Sequence, residues 1–298
     1  MQAPILEYKS DSGISKVLNS KKGRQIVINL LISSKKNFTG LVAKNIVTLY
    51  ELLELPNDST RKLSSKKWAI KARGIQELYM MEQTSSLPLI FKYTADQNEF
   101  VRLEAQIGLI NMMGFAGLNF LESSKYLLSD WQQLKLLYQL RMSEKPSNLL
   151  EKVPIWLSSS NHSVVIFSLK LCQEYHLEAM RLEVVSCLTH SYFWIRAQAV
   201  RTLVSIADCF TPSILESVYY TFNLSLQLYI LEELVGISTD KELPFLIHLL
   251  DSEENQVQLR ASIVIASINA SGLGIIEERA KIQQEPFKRI VKHIKSLQ

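Results

Sequence analysis

Glycine and proline are scarce, 10 and 8 among 298 residues, together about half of the roughly 12% found in an average protein. That shortage argues against a turn-rich β-sandwich or barrel and leaves helix as the expected element. Cysteine is scarce as well. Cys172, Cys187 and Cys209 are too few, and odd in number, for a disulfide framework, which fits a reducing compartment. Long apolar runs are missing. The longest uncharged one, Ala261 to Ile276, is broken by Ser262, Ser267, Asn269, Ser271, Gly272 and Gly274 and falls short of the ~20 residues that a bilayer span needs. The first residues lack the basic segment and apolar stretch of a secretory signal. Positive charge is also missing from the middle: residues 1–85 hold 14 Lys and Arg against 7 Asp and Glu, residues 86–274 hold 13 against 19, and residues 275–298 hold 6 against 3. A nucleic-acid sleeve carries cations along its whole groove, because each neutralised phosphate releases counterions. This middle does not.

What is present is a repeat. Val101-Arg102-Leu103-Glu104-Ala105 recurs as Ile195-Arg196-Ala197-Gln198-Ala199 and as Val257-Gln258-Leu259-Arg260-Ala261, with Val164 and Leu226 filling the gaps. These anchors stand 63, 31, 31 and 31 residues apart, which implies a further one near Gln133-Leu134 and a period of about 31 residues. Each unit reads as a short apolar helix, a polar turn and a longer second helix. Pro88, Pro154, Pro212 and Pro244 each precede an apolar octet; proline in a first turn loses no hydrogen bond, so these residues are expected to open the first helices. Asp96, Asp130, Asn161, Asn223 and Asn255 are the expected caps of the second helices.

The segments Phe100 to Ala105 and Trp194 to Ala199 resemble the Val-Arg-x-x-Ala signature of the HEAT-repeat family, over about residues 86–271. The short period resembles the compact bacterial variety, since long HEAT units run to about 40–47 residues. The resemblance implies an all-α fold, an α-solenoid of stacked antiparallel helix pairs. It also implies that Arg102, Arg196 and the shifted Arg260 form a ladder with turn acids of neighbouring repeats, holding register rather than a ligand. Three segments are expected: residues 1–85 as a basic helical cap, 86–271 as the repeats, and 272–298 as closing helices.

The two ends are basic and amphipathic. Trp68, Ala72, Ile75, Leu78 and Tyr79 share one helix face, with Lys66, Lys67, Lys71 and Arg73 away from it. These four cations read either as a solvated face or as the contact for a partner, and reversing them is expected to leave the melting temperature unchanged. At the other end Phe287, Ile290, Val291, Ile294 and Leu297 form a stripe opposite Lys288, Arg289, Lys292 and Lys295, as in a solenoid cap or a membrane-surface helix. The chain also resembles a group of uncharacterised HEAT-repeat proteins of the Bacteroidetes, through Trp68, Lys71 to Leu78, Trp131 and Trp156 to Asn161. That resemblance implies a membrane anchor upstream of residue 1, with Lys9, Lys16, Lys21, Lys22 and Arg24 beside it, and hence a cytoplasmic domain at the inner face of the plasma membrane.

Motifs that state a reaction are absent. The chain has no His-Glu dipeptide, so the iron-binding pairs of the HEAT-like deoxyhypusine hydroxylases are missing, and it has no His-Glu-x-x-His, Gly-x-Ser-x-Gly or Walker loop. Cys172, His176, Cys187 and His190 fall close together in the sequence and could in principle offer four zinc ligands, but buried thiols and turn histidines are the expected reading. Bilin lyases share the repeat, with no residue here that marks a pigment site. The expectation is therefore a protein that is not an enzyme and has no cofactor, a monomeric scaffold or adaptor holding a protein partner on its second helices. The alternative is a nucleic-acid-acting protein of the alkylpurine DNA glycosylase type, a comparison invited by Trp68, Trp131, Trp156 and Trp194; Trp68 and Trp194 are nevertheless expected at core-like positions.

Overall fold

The computed structural model describes residues 16–141, 143, 149–269 and 271–297, and among them every regular element is a helix. Lys9 lies outside the described residues. The chain divides into two compact units, Met1–Leu149 and Leu150–Gln298. In the first unit α1 (Lys21–Asn37) pairs with α2 (Gly40–Leu52), and α3 (Pro56–Leu63) with α4 (Trp68–Met80). Then come α5 (Leu87–Lys92), α6 (Glu99–Met113) and α7 (Asp130–Leu140). From there short helices alternate with longer ones: α8 (Leu149–Leu157) and α9 (His162–Glu174), α10 (Arg181–Ser186) packed on α11 (Phe193–Ser205), and α12 (Thr211–Val218) and α13 (Leu224–Leu234). The chain continues with α14 (Leu243–Leu249) and α15 (Asn255–Ile268), and ends with α16 (Gly272–Gln283) and α17 (Phe287–Leu297). This is the all-α class of stacked helix pairs.

The first helices of the repeats are only six to nine residues long, so most of their closing carbonyls have no partner within the helix. They are met by N–H groups of the tight turn that follows, and the second helix in turn holds that turn. After the anchors at 101 and 195 the next residue reaches back to turn carbonyls: Arg102 donates to those of Asp96 and Gln97 at 2.7 and 2.9 Å, and Arg196 to those of His190 and Ser191 at 2.9 and 3.2 Å. Gln133, Gln227 and Gln258 do the same toward Leu128, Tyr219 and Ser252. Arg102 and Arg196 therefore hold their own repeats closed. Turn acids of neighbouring repeats, the partners expected for them, are not what their guanidinium groups meet.

Ties between repeats run through another position. Gln76 on α4 donates to Glu104 on α6 at 2.9 Å, Arg201 on α11 lies over the Tyr229 ring of α13 at 5.8 Å, and Glu232 on α13 pairs with Arg260 on α15. These three share one separation, from the sixth position after one anchor to the third after the next, if Ile70, 31 residues before Val101, is counted as the corresponding position in α4. α9 and α11 are joined differently, Gln198 donating to Gln173 at 2.8 Å and Thr202 to the Leu169 carbonyl at 3.0 Å. Arg260 thus meets an acid on a neighbouring second helix rather than in a turn. Small buried residues four positions after the anchor, Ala105, Ala199 and Ala261, let the second helices close up, and Gly74 occupies the same place in α4.

Helix starts differ from expectation in places. Asn161 and Asn223 cap α9 and α13. Asn98 caps α6, because Asp96 is drawn to Lys71 and to the Asn98 N–H. Ser129, not Asp130, caps α7 in a reciprocal box with Gln132. The Asn255 position lies inside α15, whose cap residue Glu254 makes no side-chain bond. Pro88, Pro212 and Pro244 do open helices, whereas Pro154 lies inside α8, well past its first turn. At the C-terminal end Phe287, Ile290 and Ile294 are buried, and α17 packs them on α16 and α15.

Gly74 tests the close packing of α4 on α3. A Cβ there would lie 2.6 Å from the Ser59 carbonyl oxygen and 2.7 Å from the Lys62 Cβ. Helix propensity alone would make Gly74→Ala stabilising by up to about 1 kcal/mol, but overpacking costs about 1–3 kcal/mol. We expect net destabilisation of about 1–2 kcal/mol, read from the urea midpoint of unfolding. A stabilised variant would contradict the packing.

Candidate functional site

The basic face of the first unit is built around a carboxylate that sequence reasoning missed. Glu77 projects from α4 between Gly74 and Leu78 and is 2% exposed. A buried carboxylate without partners would cost several kcal/mol, and Glu77 is fully partnered. Gln25 of α1 donates to it at 2.8 Å, Ser59 of α3 at 2.6 Å and Arg73 at 3.2 Å, while Lys62 of α3 forms a close ion pair with it. Tyr50 of α2 completes the chain by donating to the Ser59 hydroxyl at 2.8 Å. Burial pushes the Tyr50 phenol well above its usual range, so it acts as a donor. Glu77 thus ties four helices together above the apolar cluster of Ile28, Leu31, Tyr50, Leu55 and Met81.

The four expected contact cations divide into two kinds. Lys71 lies 2.7 Å from Asp96 and 5.3 Å from the Tyr93 ring centroid. Arg73 is shared between Glu77 and the Asn29 side chain. Lys66 and Lys67 are exposed and have no side-chain partner among the described residues. Reversing all four is therefore not neutral for stability, because two of them hold the unit together. Lys71→Glu is expected to lower the melting temperature, and Lys66→Glu or Lys67→Glu is not.

Next to Lys67 in the chain stands an exposed aromatic ring. Trp68 and Phe100 are stacked at 5.0 Å between centroids and are 49% and 47% exposed; elsewhere Trp131 is 52% exposed. Each lies in the first turn of its helix. The expectation that Trp68 and Trp194 are core-like is corrected on the same ground; Trp194 is also mostly exposed, and only Trp156 is core. The apolar face of α4 begins at Ile75 and continues through Leu78 and Tyr79.

The Cys-His group does not assemble. Cys172 and Cys187 are buried free thiols, and burial pushes the Cys172 thiol up to about 12 and the Cys187 thiol up as well. The histidines are engaged elsewhere: His176 Nδ1 lies 3.1 Å from the Ser205 carbonyl, and His190 Nδ1 accepts the Tyr192 N–H at 2.9 Å. Among the described residues no three His, Cys, Asp or Glu side chains are placed to hold a metal ion, and no helix is long and apolar enough to cross a membrane.

Removing the Glu77 carboxylate leaves the Lys62 ammonium without its counter-charge. Breaking a buried pair on one side costs about 3–5 kcal/mol, and the half-exposed Arg73 contributes little to that. Glu77→Ala is expected to destabilise the first unit by about 3 kcal/mol in chemical unfolding. A loss below about 1 kcal/mol, the range of an exposed pair, would contradict the buried network.

No family model matches the chain, and no curated protein does. Among solved structures it is similar to the complex of CpcE and CpcF of phycocyanin lyase from Nostoc sp. PCC7120, at 12% identity over 91% of this chain and 94% of that one, with a TM-score of 0.26. With a lyase among the structures it is similar to, the expectation that the chain is not an enzyme is withdrawn.

Proposed function

We propose that the chain is a protein-interaction adaptor, and that the partner is held at the edge of the first unit where Lys66 and Lys67 adjoin the Trp68–Phe100 stack. The observation that carries this reading is the stack itself. Two large rings lie half in solvent, next to two cations with no side-chain partner among the described residues. Aromatic side chains are enriched where proteins bind one another, because they bury much area at small entropic cost. The neighbouring lysines favour an acidic segment as the bound part. Lys71 and Arg73 support the edge from within the unit. Three free cysteines support a cytoplasmic setting.

Both lysines precede the first turn of α4, which contains no acid. Cations there oppose the helix dipole, so glutamates in their place add about 0.3–1 kcal/mol each to stability. A Lys66→Glu/Lys67→Glu chain is therefore expected to melt at or slightly above the native temperature while losing its partner. The test is affinity capture with native and variant chains as bait, after nuclease treatment. A protein retained by the native chain and lost by the variant supports the reading. Equal retention by both, or retention of nucleic acid alone, would sink it.

A further inference from the structure

A second helix start in the first unit shows the same charge anomaly. N–H groups leave partial positive charge at a helix start, so acids stabilise it and cations oppose it. The first turn of α1 nevertheless contains Lys21, Lys22 and Arg24 and no acid. The starts of α1 and α4 and the end of α3, which carries Arg61 and Lys62, frame one cleft of about 440 Å³, lined by Lys21, Arg24, Gln25, Arg61, Lys62 and Ile70 among others.

The acids near this cleft are already engaged. Asp58 is bound by Arg24 at 2.6 Å, and Arg24 is fixed further by the carbonyls of Leu53 and Glu54 at 3.0 Å each. Glu77 is occupied by Lys62, Arg73, Ser59 and Gln25. Two cations are left over. Lys21 has no ion partner among the described residues. Arg61 has a single loose contact, 3.7 Å from Asp58, and its side chain is 72% exposed.

We propose that this cleft is a binding site for a phosphate group, either free phosphate or a phosphate monoester on a small organic body. The cleft and its surplus cations carry the inference. Arg61 offers a planar fork of donors and Lys21 a compact charge, the pair of chemistries suited to phosphate oxygens. Asp58 also lines the wall, but Arg24 holds it and the cations Lys21, Arg24, Arg61 and Lys62 outnumber it, so the concave wall carries a net positive field that it focuses. Arg24 and Lys62 are held in place before any ligand arrives, so binding orders little. The volume exceeds that of the anion alone and lies within the roughly 300–1,000 Å³ of small-molecule pockets; Ile70 and the Gln25 amide line the remaining space. This site does not depend on the partner reading of the Trp68 edge.

The test is calorimetric titration of the full chain with inorganic phosphate and with phenyl phosphate at constant ionic strength. Saturable binding is expected, weakened about tenfold or more in Lys21→Gln/Arg61→Gln, in line with the loss of a charge-assisted bond. The variant is expected to melt no lower than the native chain. Tighter binding of phenyl phosphate assigns the site to a monoester, and equal binding assigns it to the phosphate group alone; both support the proposal. No saturation with either probe, or a double variant that binds as tightly as the native chain, overturns it. Should the double variant fail to fold, Arg61→Gln alone, which loses only the loose contact with Asp58, is expected to weaken binding several-fold and decides the matter by the same readings.

Discussion

A short helix that runs into a tight turn leaves carbonyls of that turn in need of donors, and the architecture depends on how the next helix supplies them. A buried carbonyl without a donor is costly. Here the donors are Arg102, Gln133, Arg196, Gln227 and Gln258, which bond the carbonyls of Asp96 and Gln97, Leu128, His190 and Ser191, Tyr219, and Ser252. These long side chains near the start of the second helices thus pin each turn to the helix that follows it. Pairs are then joined by the evenly spaced ties between second helices and by the small residues that let those helices approach. Hydrophobic burial supplies the drive, as in any stack of amphipathic helices. The polar ties determine which residue meets which.

The fold was legible because these requirements are periodic. An apolar anchor followed four places later by a small residue leaves a regular mark, and Val101, Ile195 and Val257 display it. The role of Arg102 and Arg196 as register elements was half legible. Their recurrence indicated structure, but recurrence alone does not say whether an arginine bonds forward to an acid or backward to a carbonyl. Trp68 and Trp194 were misread for a related reason: helical periodicity treats a first turn like any other, although a side chain there can project past the end of its neighbour. Pro154 misled because proline is tolerated inside α8 as well as at a helix start. Glu77 was missed, although the signal existed, a lone acid between Gly74 and Leu78 on the buried face of α4. Its partners include Ser59 and Gln25, distant in the chain, and no local pattern discloses them.

Charge placement in the first unit separates what serves stability from what does not. Lys62, Lys71 and Arg73 are neutralised within the unit, and Arg24 is clamped by a carboxylate and two carbonyls. Lys21, Lys66 and Lys67 stand at helix starts where they oppose the fold. Surplus cations in such places are tolerated because stable domains have a margin of several kcal/mol, and functional sites are where local charge rules are commonly broken.

The constant offset of the ties between second helices has a bearing on how such a chain can change in length. Because each of these three ties leaves one second helix at a fixed place and enters the next at another, removing or adding a whole repeat keeps the register of the positions but not every partner: loss of the Leu226 unit would set Arg201 against Arg260, two cations. Adding a single residue within a second helix would rotate the following side chains by about 100° and take the forward tie out of phase with the backward bond. Changes by whole units thus keep the register and call for one compensating substitution, whereas small insertions are confined to the turns.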